Sequence, residues 1–545
     1  MKRLMLILIV LLIGLSACSD DNSINNDKEN EKTNGSNDSQ TTVVGSGNGI
    51  EEIGDISGKK DYFDEKNTLL FYDDLFNLDN KIVLDFKIQA EELKKIEADY
   101  QKYKNTKCNI YRKLESFSIS VTYPSGTTVT QTINDVGIRM KGNTTRHSFV
   151  DASGNMFSFS HFTLSFQETF DNTEDYTASE RVNWGNDTAR ENRKNRTFFG
   201  LRSLEVKFNA EGDLSYARDI YASHVYRSYG IYAQNTTLGV MNFDIKSGSS
   251  SKHTGSLGVY KIFEPIDRIY VKRYFSKEEN DGDLYKATWG SFRGMPDLNH
   301  KSEGVFGVDE SSWSEQQSVS YDLKTNKTSS TQDDIRNLLY WINGSTTDLN
   351  STLKNYFDED YFITLMALMY LSGDWDNFMY DSNNYYLYFN NLNHLCYLMP
   401  YDTDKTFGIA NNERDMDEIK PLDTMNYQGD DNRSRLLKKT IDIKDSSLQK
   451  AYLAKIFEIY KDVLDIDAFM NIYNKLHKHY KYNIEPSLFD IPTSFANEKA
   501  QKYYLHIIYG REAKTYMSAS HAYGYSITIG EYFTNKIQTI ESELG

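Results

Sequence analysis

Residues 373–408 have the sequence GDWDNFMYDSNNYYLYFNNLNHLCYLMPYDTDKTFG, which follows an apolar segment, 358–371, that predicts a buried helix. Two apolar runs, 385–389 and 394–399, flank turn-forming residues and predict a β-hairpin. A hairpin brings Asp376, Asn384 and Asp402 to one end of a small sheet. Carboxylate and amide oxygens suit Mg²⁺ or Mn²⁺ better than zinc. The segment therefore predicts a divalent-metal site at the end of the hairpin.

The order of parts in this segment is also that of phosphoryl-transfer enzymes of the protein-kinase type. In that class one Asp accepts the proton of the substrate hydroxyl, while an Asn and a later Asp hold the metals. The chain lacks the His-Arg-Asp sequence of the class, and its interval from Asp376 to Asn384 is longer than a kinase catalytic loop. From the residues alone, Asp402 and Asp404 could also form a turn cluster, although the calcium-binding EF-hand pattern fails at Thr406.

The rest of the chain is rich in strands at the front and in helices at the back. Alternating apolar and polar residues predict antiparallel strands from residue 81 to about 146, with a helix inserted at 90–103. Later strands are expected at 162–166, 203–208, 237–243 and 258–263, and helices at 215–228, from 267, and beyond 432. This order predicts an α+β fold with two lobes. Its expected parts are a β-rich N-terminal region, 60–135, and a main domain, 136–545, that includes the helical C-terminal part.

Six short motifs follow one another along the chain, and they are Gly137–Arg146 (GIRMKGNTTR), Gly258–Asp267 (GVYKIFEPID), Asp283–Ala287 (DLYKA), Gly373–Asp376, Asn384–Tyr388 and Asp402–Gly408. In this order they resemble the motifs of the CotH family. The resemblance implies a two-lobed, protein-kinase-like fold with the active site between the lobes. It also implies binding of ATP with Mg²⁺ or Mn²⁺, and transfer of phosphate to serine residues of partner proteins.

The resemblance implies roles for individual residues as well. Asp376 would be the catalytic Asp, Asn384 and Asp402 metal ligands, and Asp404 an auxiliary carboxylate at the metal. The implied nucleotide-binding residues are Arg139, Lys141, Arg218, Glu264 and Lys286, with Glu264 near the adenine. Family members often carry lysines in the strand where residues 160–166 have none. The phosphate-binding cation is therefore open among four residues, which are Arg139, Lys141, Lys207 and Lys286.

Two functional alternatives stand beside the kinase. The first is a surface scaffold or adhesin that kept the fold and lost phosphoryl transfer, which the absence of lysine from residues 160–166 favours. The second is a glycosidase that uses a pair of carboxylates, which has no motif in its support.

The N-terminal residues predict an exported lipoprotein. A basic pair, Lys2 and Arg3, precedes an apolar run at 4–15 that is too short to span a bilayer, so residues 1–17 are expected to be a signal peptide. The sequence Leu15-Ser16-Ala17-Cys18 resembles a lipobox, and Cys18 would carry the lipid. Residues 18–59 are mostly small and polar and predict a disordered tether. The expected location is extracytoplasmic, anchored in a membrane at the cell surface or facing the periplasm.

Charge and cysteine content exclude other classes. The formal net charge is -17 and the basic residues form no stripe, so a nucleic-acid partner has no electrostatic support. Besides Cys18 only two cysteines remain, too few for a disulfide framework or a cysteine zinc site. The expected partners are a membrane, through the lipid, and a protein substrate on the cell surface or exported.

Replacing Cys18 tests the lipid anchor. Cys18→Ala should release the protein from the membrane fraction or block its processing, because the thiol is the atom that accepts the lipid. Fractionation and intact-mass measurement check this. Unchanged membrane association together with unchanged mass would rule out lipidation at Cys18.

Overall fold

The computed structural model describes residues 72–484 and 527–545, apart from short gaps at 104–105, 107, 143–145, 210–212, 214, 292, 312–316, 410–414 and 424–432. The signal peptide, Cys18 and the tether expected at 18–59 lie outside the described residues. Among the helices in the described part of the chain, none combines the length and apolar composition needed to cross a bilayer.

Seven strands of the front half close into a barrel. They are β1 (Lys81–Gln89), β2 (Arg112–Thr122), β3 (Thr128–Lys141), β4 (His161–Ser165), β5 (Ser203–Lys207), β6 (Thr236–Ser247) and β7 (Ser250–Phe263). The order around the barrel is β1-β2-β3-β4-β5-β7-β6, and the parallel pairing of β1 with β6 closes it. Alternate residues of each strand fill the barrel core, as Ile138 and Met140 do in β3. The residues between them lie on the outer face of the barrel.

A second sheet contains the hairpin. Its strands are β8 (Asp283–Ala287), β9 (Phe306–Gly307), β10 (Tyr321–Leu323), β11 (Tyr385–Phe389) and β12 (Cys396–Pro400), in the order β12-β11-β8-β10-β9. The five residues of β11 pair antiparallel with those of β12, from Tyr385 opposite Pro400 to Phe389 opposite Cys396. The hairpin expected from the sequence is therefore present, and β8 covers its other edge.

The helices lie mainly in the back half of the chain. Their bounds are α1 (Tyr72–Phe76), α2 (Ala90–Tyr103), α3 (Asp187–Lys194), α4 (Arg218–Ser228), α5 (Arg268–Tyr274), α6 (Asp333–Ile342), α7 (Glu359–Ser372), α8 (Arg435–Lys438), α9 (Ser447–Val463), α10 (Ile466–Ile484) and α11 (Ile529–Leu544). Short 3₁₀ helices occupy Glu303–Val305 and Asn350–Asn355. Residues of α4, α6, α7, α9 and α11 share one large apolar core with the second sheet.

The structure confirms the expected mixture of helices and strands. Helix α2 has the expected bounds. Helix α7 ends at Ser372, and the capping residue Gly373 has a φ of 61°, the left-handed conformation common at the C-terminus of a helix. Helix α4 begins at Arg218, three residues later than expected. The expected domain boundary between residues 135 and 136 falls within β3, so the barrel extends to both sides of it.

Candidate active site

The segment after α7 holds the first part of the site through short-range hydrogen bonds. Asp374 is buried, and its Oδ1 accepts the backbone N–H of Asp376 at 3.0 Å. The carboxylate of Asp376 accepts Nδ2 of Asn383 at 2.9 Å and Nδ2 of Asn384 at 3.0 Å. Asn384 also donates to the backbone carbonyl of Asp376, at 2.9 Å. These bonds fix the carboxylate of Asp376 beside the start of β11.

The two strands of the hairpin pair for one residue beyond their ends, at Asn384 and Tyr401. This places Asp402 at the same end of the hairpin as Asp376 and Asn384. The backbone N–H of Tyr401 donates to the carbonyl of Asn384 at 2.9 Å. Asn384 and Asp402 both have left-handed backbone conformations, with φ of 52° and 56°. Asn and Asp tolerate this conformation better than other non-glycine residues. The structure thus brings Asp376, Asn384 and Asp402 together at one end of the hairpin, as the sequence predicts.

The outer face of the barrel lies against this end of the hairpin and carries buried cations. The register pairs Lys141 of β3 with His161 of β4, and Lys207 of β5 with Lys261 of β7. All four side chains are buried. Charged residues on the outer barrel face alternate with core residues, so they project away from the barrel interior.

All three lysines in this group have carboxylate partners. Lys207 is ion-paired with Asp402, and Lys141 is ion-paired with Glu205 and hydrogen-bonded to the hydroxyl of Tyr401. Lys261 lies 2.9 Å from the carboxylate of Asp219 on α4. Lys286 of β8 lies over the ring of Tyr401, 4.6 Å from its centroid. The site therefore brings the buried lysines on the outer face of the barrel next to the carboxylate that follows β12.

The same cations and carboxylates shift each other's protonation. Burial alone would lower the pKa of Lys207, but attraction to Asp402, Asp404 and Glu205 outweighs it and raises that pKa. At Asp402 burial alone would raise the pKa of the carboxyl group, but attraction to Lys207 and Lys141 outweighs it and holds that pKa below its usual value. Asp402 therefore stays ionised at neutral pH.

The carboxylates on the other side of the site behave differently. Burial raises the pKa of Asp376 to about 6, with Asp402 adding to the rise while Asn383, Lys405 and Asn384 oppose it. Burial raises the pKa of Asp374 well above its usual value, and repulsion from Asp376, Asp404 and Asp402 adds to this. Four carboxyl groups thus share one site, and the pKa shifts of Asp374, Asp376 and Asp402 differ.

The remaining residues implied by the family resemblance lie at different distances from this centre. Arg139 is on the same face of β3 as Lys141, and its guanidinium lies over the ring of Tyr111, 5.2 Å from the centroid. Both terminal nitrogens of Arg218 donate to backbone carbonyls, those of Phe407 at 2.6 Å and Ile527 at 2.8 Å. Asp404 lies within electrostatic reach of Lys207.

Glu264 belongs to a separate buried cluster. Its carboxylate accepts hydrogen bonds from Tyr72 at 2.6 Å, from Tyr274 at 3.0 Å and from Arg273 at 3.2 Å. Its backbone N–H donates to the carbonyl of Asn235 at 2.9 Å. These contacts tie α1 and α5 to the end of β7.

The donor set fits a hard divalent cation by its chemistry. Asp402 is ionised, and Nδ2 of Asn384 is used by Asp376, which leaves the amide oxygen as the side of Asn384 that can face a cation. Within the described residues, however, His, Cys, Asp and Glu side chains nowhere gather in a group of three that could hold a metal. A cation at this site would therefore need oxygen ligands beside the carboxylate of Asp402, and the amide oxygen of Asn384 is one such ligand.

Sequence reasoning missed several residues of the site, among them Glu205, Asp219, Lys261 and Lys405. Strand alternation could have indicated two of them, since Glu205 and Lys261 are each flanked by core residues of their strand. Asp219 belongs to the site because of its ion pair with Lys261, and this pair joins α4 to β7, which local sequence patterns do not relate. Lys405 lies over the ring of Trp375, 5.8 Å from its centroid, and no local pattern indicates that contact.

Comparison with known proteins gives two matches. A family model described as CotH kinase protein matches residues 175–512, more than half of the chain. Spore coat protein homolog 1 of Rhizopus delemar is 24% identical over 217 residues, which cover 39% of this chain and 31% of that protein. The chain thus matches about a third of the length of this curated relative. The family match includes Lys207, Lys261, Asp376, Asn384 and Asp402, whereas Lys141 and α11 lie outside it.

Replacing Asp374 tests the electrostatics of the site. A carboxyl group with a raised pKa holds its proton in the folded chain at pH values where the unfolded chain has lost it. The wild type therefore loses stability as pH rises from about 4 towards the raised pKa. Asp374→Asn keeps an acceptor for the N–H of Asp376 and removes this titration. Its melting temperature should exceed that of the wild type at pH 8, and the difference should shrink towards pH 4.

Scanning calorimetry at the two pH values measures this difference. Asp360→Asn is the matched control, because Asp360 is an exposed carboxylate in the first turn of α7. A stability difference for Asp374→Asn that is the same at pH 4 and pH 8 would contradict the assigned crowding of carboxylates.

Proposed function

Because the chain belongs to the CotH kinase protein family, we propose that it is a lipid-anchored, atypical protein kinase with a two-lobed, kinase-like fold. It transfers phosphate from ATP to serine residues of surface or exported proteins. One observation carries the proposal: Asp376 is hydrogen-bonded to Asn384, next to Asp402, and buried lysines of the barrel face them. This arrangement provides a proton acceptor, oxygen ligands for a metal, and cations for phosphate in one place.

Asp376 is the proposed catalytic residue. A pKa of about 6 makes it an effective proton acceptor near neutral pH, since it is ionised there and still basic enough to take a proton. In the transfer, the serine Oγ forms a bond to the γ-phosphorus of ATP and gives its proton to the carboxylate of Asp376. The bond from the γ-phosphorus to the bridging oxygen breaks, and ADP leaves with that electron pair.

Asn384 and Asp402 are the proposed metal ligands, with Asp404 as the auxiliary carboxylate. Bound Mg²⁺ or Mn²⁺ would offset the negative charge of the phosphates. The ion pair between Lys207 and Asp402 fits such a site because the lysine holds the carboxylate ionised and oriented.

Buried lysines are the proposed phosphate contacts. Lys141, Lys207 and Lys286 surround the ring of Tyr401, with Nζ atoms 5.1, 5.7 and 4.6 Å from its centroid. Arg139 extends this cationic face along β3. The side chains of Arg218 and Glu264 are used by partners within the chain, so their proposed contribution to nucleotide binding is to hold the walls of the site.

A second function, that of a surface scaffold or adhesin with the same fold, has one observation in its favour. Lys207 is paired with the carboxylate that would hold the metal, and no group of three acidic, His or Cys side chains is assembled around it in the described residues. A scaffold needs no metal, so the pairing of Lys207 with Asp402 would not impair its function. The relative from Rhizopus delemar is named for a spore coat, which agrees with a role at a surface in either case.

Two substitutions separate binding of nucleotide from transfer. Asp402→Asn should abolish Mn²⁺-dependent ATP binding, because it removes the charge that would balance the metal. Asp376→Asn should retain binding and reduce transfer roughly 10²- to 10⁴-fold, the range typical of a lost proton acceptor. Binding is measured by the shift of the melting temperature with Mn²⁺ and ATP. Transfer is measured with γ-labelled ATP on the protein itself and on a serine-rich acceptor.

Asp360→Asn serves again as the control and should match the wild type in both assays. A wild-type protein that is folded but neither binds nucleotide nor incorporates phosphate would reject the kinase and favour the scaffold. Equal loss of binding in both Asp variants would reject the assignment of separate roles.

A further inference from the structure

The last helix of the chain packs directly behind the candidate site. Helix α11 lies beyond residue 512, where the family match ends. It begins at a capping box, in which Thr528 and Glu531 each accept a backbone N–H of the other. This cap fixes the first turn of α11 together with Ile527, which precedes it. The first turns of the helix are the part that contacts the site.

One set of contacts joins this segment to the chain just after Asp402. The backbone N–H of Ile527 donates to the carbonyl of Gly408 at 3.0 Å. The ring of Phe407 packs against Tyr532 and Phe533, with centroids 6.0 and 5.7 Å apart. Gly408 leaves no room for a side chain, because an added methyl group would press against Ile527. The segment therefore covers the end of the 402–408 motif.

A second set of contacts reaches the chain just before Asp374. The hydroxyl of Tyr532 donates to the backbone carbonyl of Leu371 at 3.1 Å. The same hydroxyl lies where a methyl group on Gly373 would be, so the helix and the loop are in close contact. The backbone N–H of Phe407 donates to the carbonyl of Ser372 at 2.7 Å and joins the two parts of the site to each other.

Arg218 completes this junction from the barrel side. It is buried, and its two terminal nitrogens bridge the carbonyl of Phe407 to that of Ile527. Its Nε lies 3.5 Å from the carboxylate of Asp213, which balances its charge. The planar fork of a guanidinium can hold two acceptors in this way, whereas an ammonium group provides a single centre.

We propose that residues 527–545 are a positioning segment for the active site, with Tyr532 and Arg218 as positioning residues. Tyr532 holds the end of α7, which leads into the loop that carries Asp376, and Arg218 holds the 402–408 motif against Ile527. Phe407 and Asp402 have left-handed backbone conformations, with φ of 50° and 56°, and such conformations persist only where surrounding contacts enforce them. The kinetic part of this proposal rests on the proposed kinase function, and the structural part does not.

Hydrogen exchange of the full-length protein tests the structural part. Tyr532→Phe removes one hydroxyl, and Arg218→Lys keeps the charge and removes the bridge. Each should speed amide exchange in peptides that span 371–376 and 402–408 by about three- to tenfold, the effect of losing one or two hydrogen bonds. The amide of Phe407 is the sharpest reporter, since it donates to Ser372 across the junction.

Tyr460→Phe is the matched control. Its hydroxyl also bonds to α11, but at the far end of the helix, where it donates to Glu541 at 3.1 Å. This variant should leave exchange of both site segments as in the wild type. The proposal is overturned if Tyr532→Phe and Arg218→Lys exchange at these segments no faster than Tyr460→Phe does.

Steady-state kinetics test the kinetic part of the proposal. Tyr532→Phe should lower kcat about three- to tenfold with KM for ATP nearly unchanged, because it acts on the side of Asp376. Arg218→Lys should raise the concentration of Mn²⁺ needed for half-maximal rate, because it acts on the side of Asp402. A wild type without transfer activity rejects the proposed function but leaves the exchange result to decide on positioning. Faster exchange with unchanged kinetics in both variants rejects the positioning role.

Discussion

The ion pair between Lys207 and Asp402 is the contact on which the arrangement of the site depends. It joins the outer face of the barrel to the end of the hairpin, and the lysine is almost entirely buried. A buried charge without a partner costs several kcal/mol, so the burial of Lys207 on the barrel face requires Asp402 of the hairpin beside it. Lys261 repeats this requirement with Asp219 of α4. Lys141 is paired with Glu205 on the barrel itself and contacts the end of the hairpin through the hydroxyl of Tyr401. The pairing of charges therefore fixes how the barrel, α4 and the hairpin meet.

The backbone around these charges is held in conformations that ordinary strands and helices do not use. Asn384, Asp402 and Phe407 all have left-handed φ values. Each lies beside a backbone hydrogen bond that fixes it, from Tyr401 to Asn384 and from Phe407 to Ser372. Because such conformations cost free energy, the polar end of the hairpin is maintained by its surroundings rather than by its own sequence. This explains why contacts distant in sequence, such as those of Arg218, reach into it.

Local patterns were sufficient to predict the hairpin and the meeting of Asp376, Asn384 and Asp402, because these features depend on strand pairing and on one turn. Local patterns could not predict the parallel closure of the barrel by β1 and β6, which joins strands separated by well over a hundred residues. They left the phosphate-binding cation open among four residues, since choosing between them requires the register of β3 against β4 and of β5 against β7. The partners of Glu264, including Tyr72, are likewise set by tertiary packing.

Three aspartates of the site show why residue type alone does not define a role. Asp402 faces Lys207 and Lys141, and its pKa is held down, which suits a group that must stay ionised to hold a cation. Asp376 receives amide hydrogen bonds, and its pKa rises to about 6, which suits a group that accepts a proton. Asp374 is more deeply buried and keeps its proton to a higher pH. The same side chain therefore has three different pKa values in this site, because burial and neighbouring charge differ at each position.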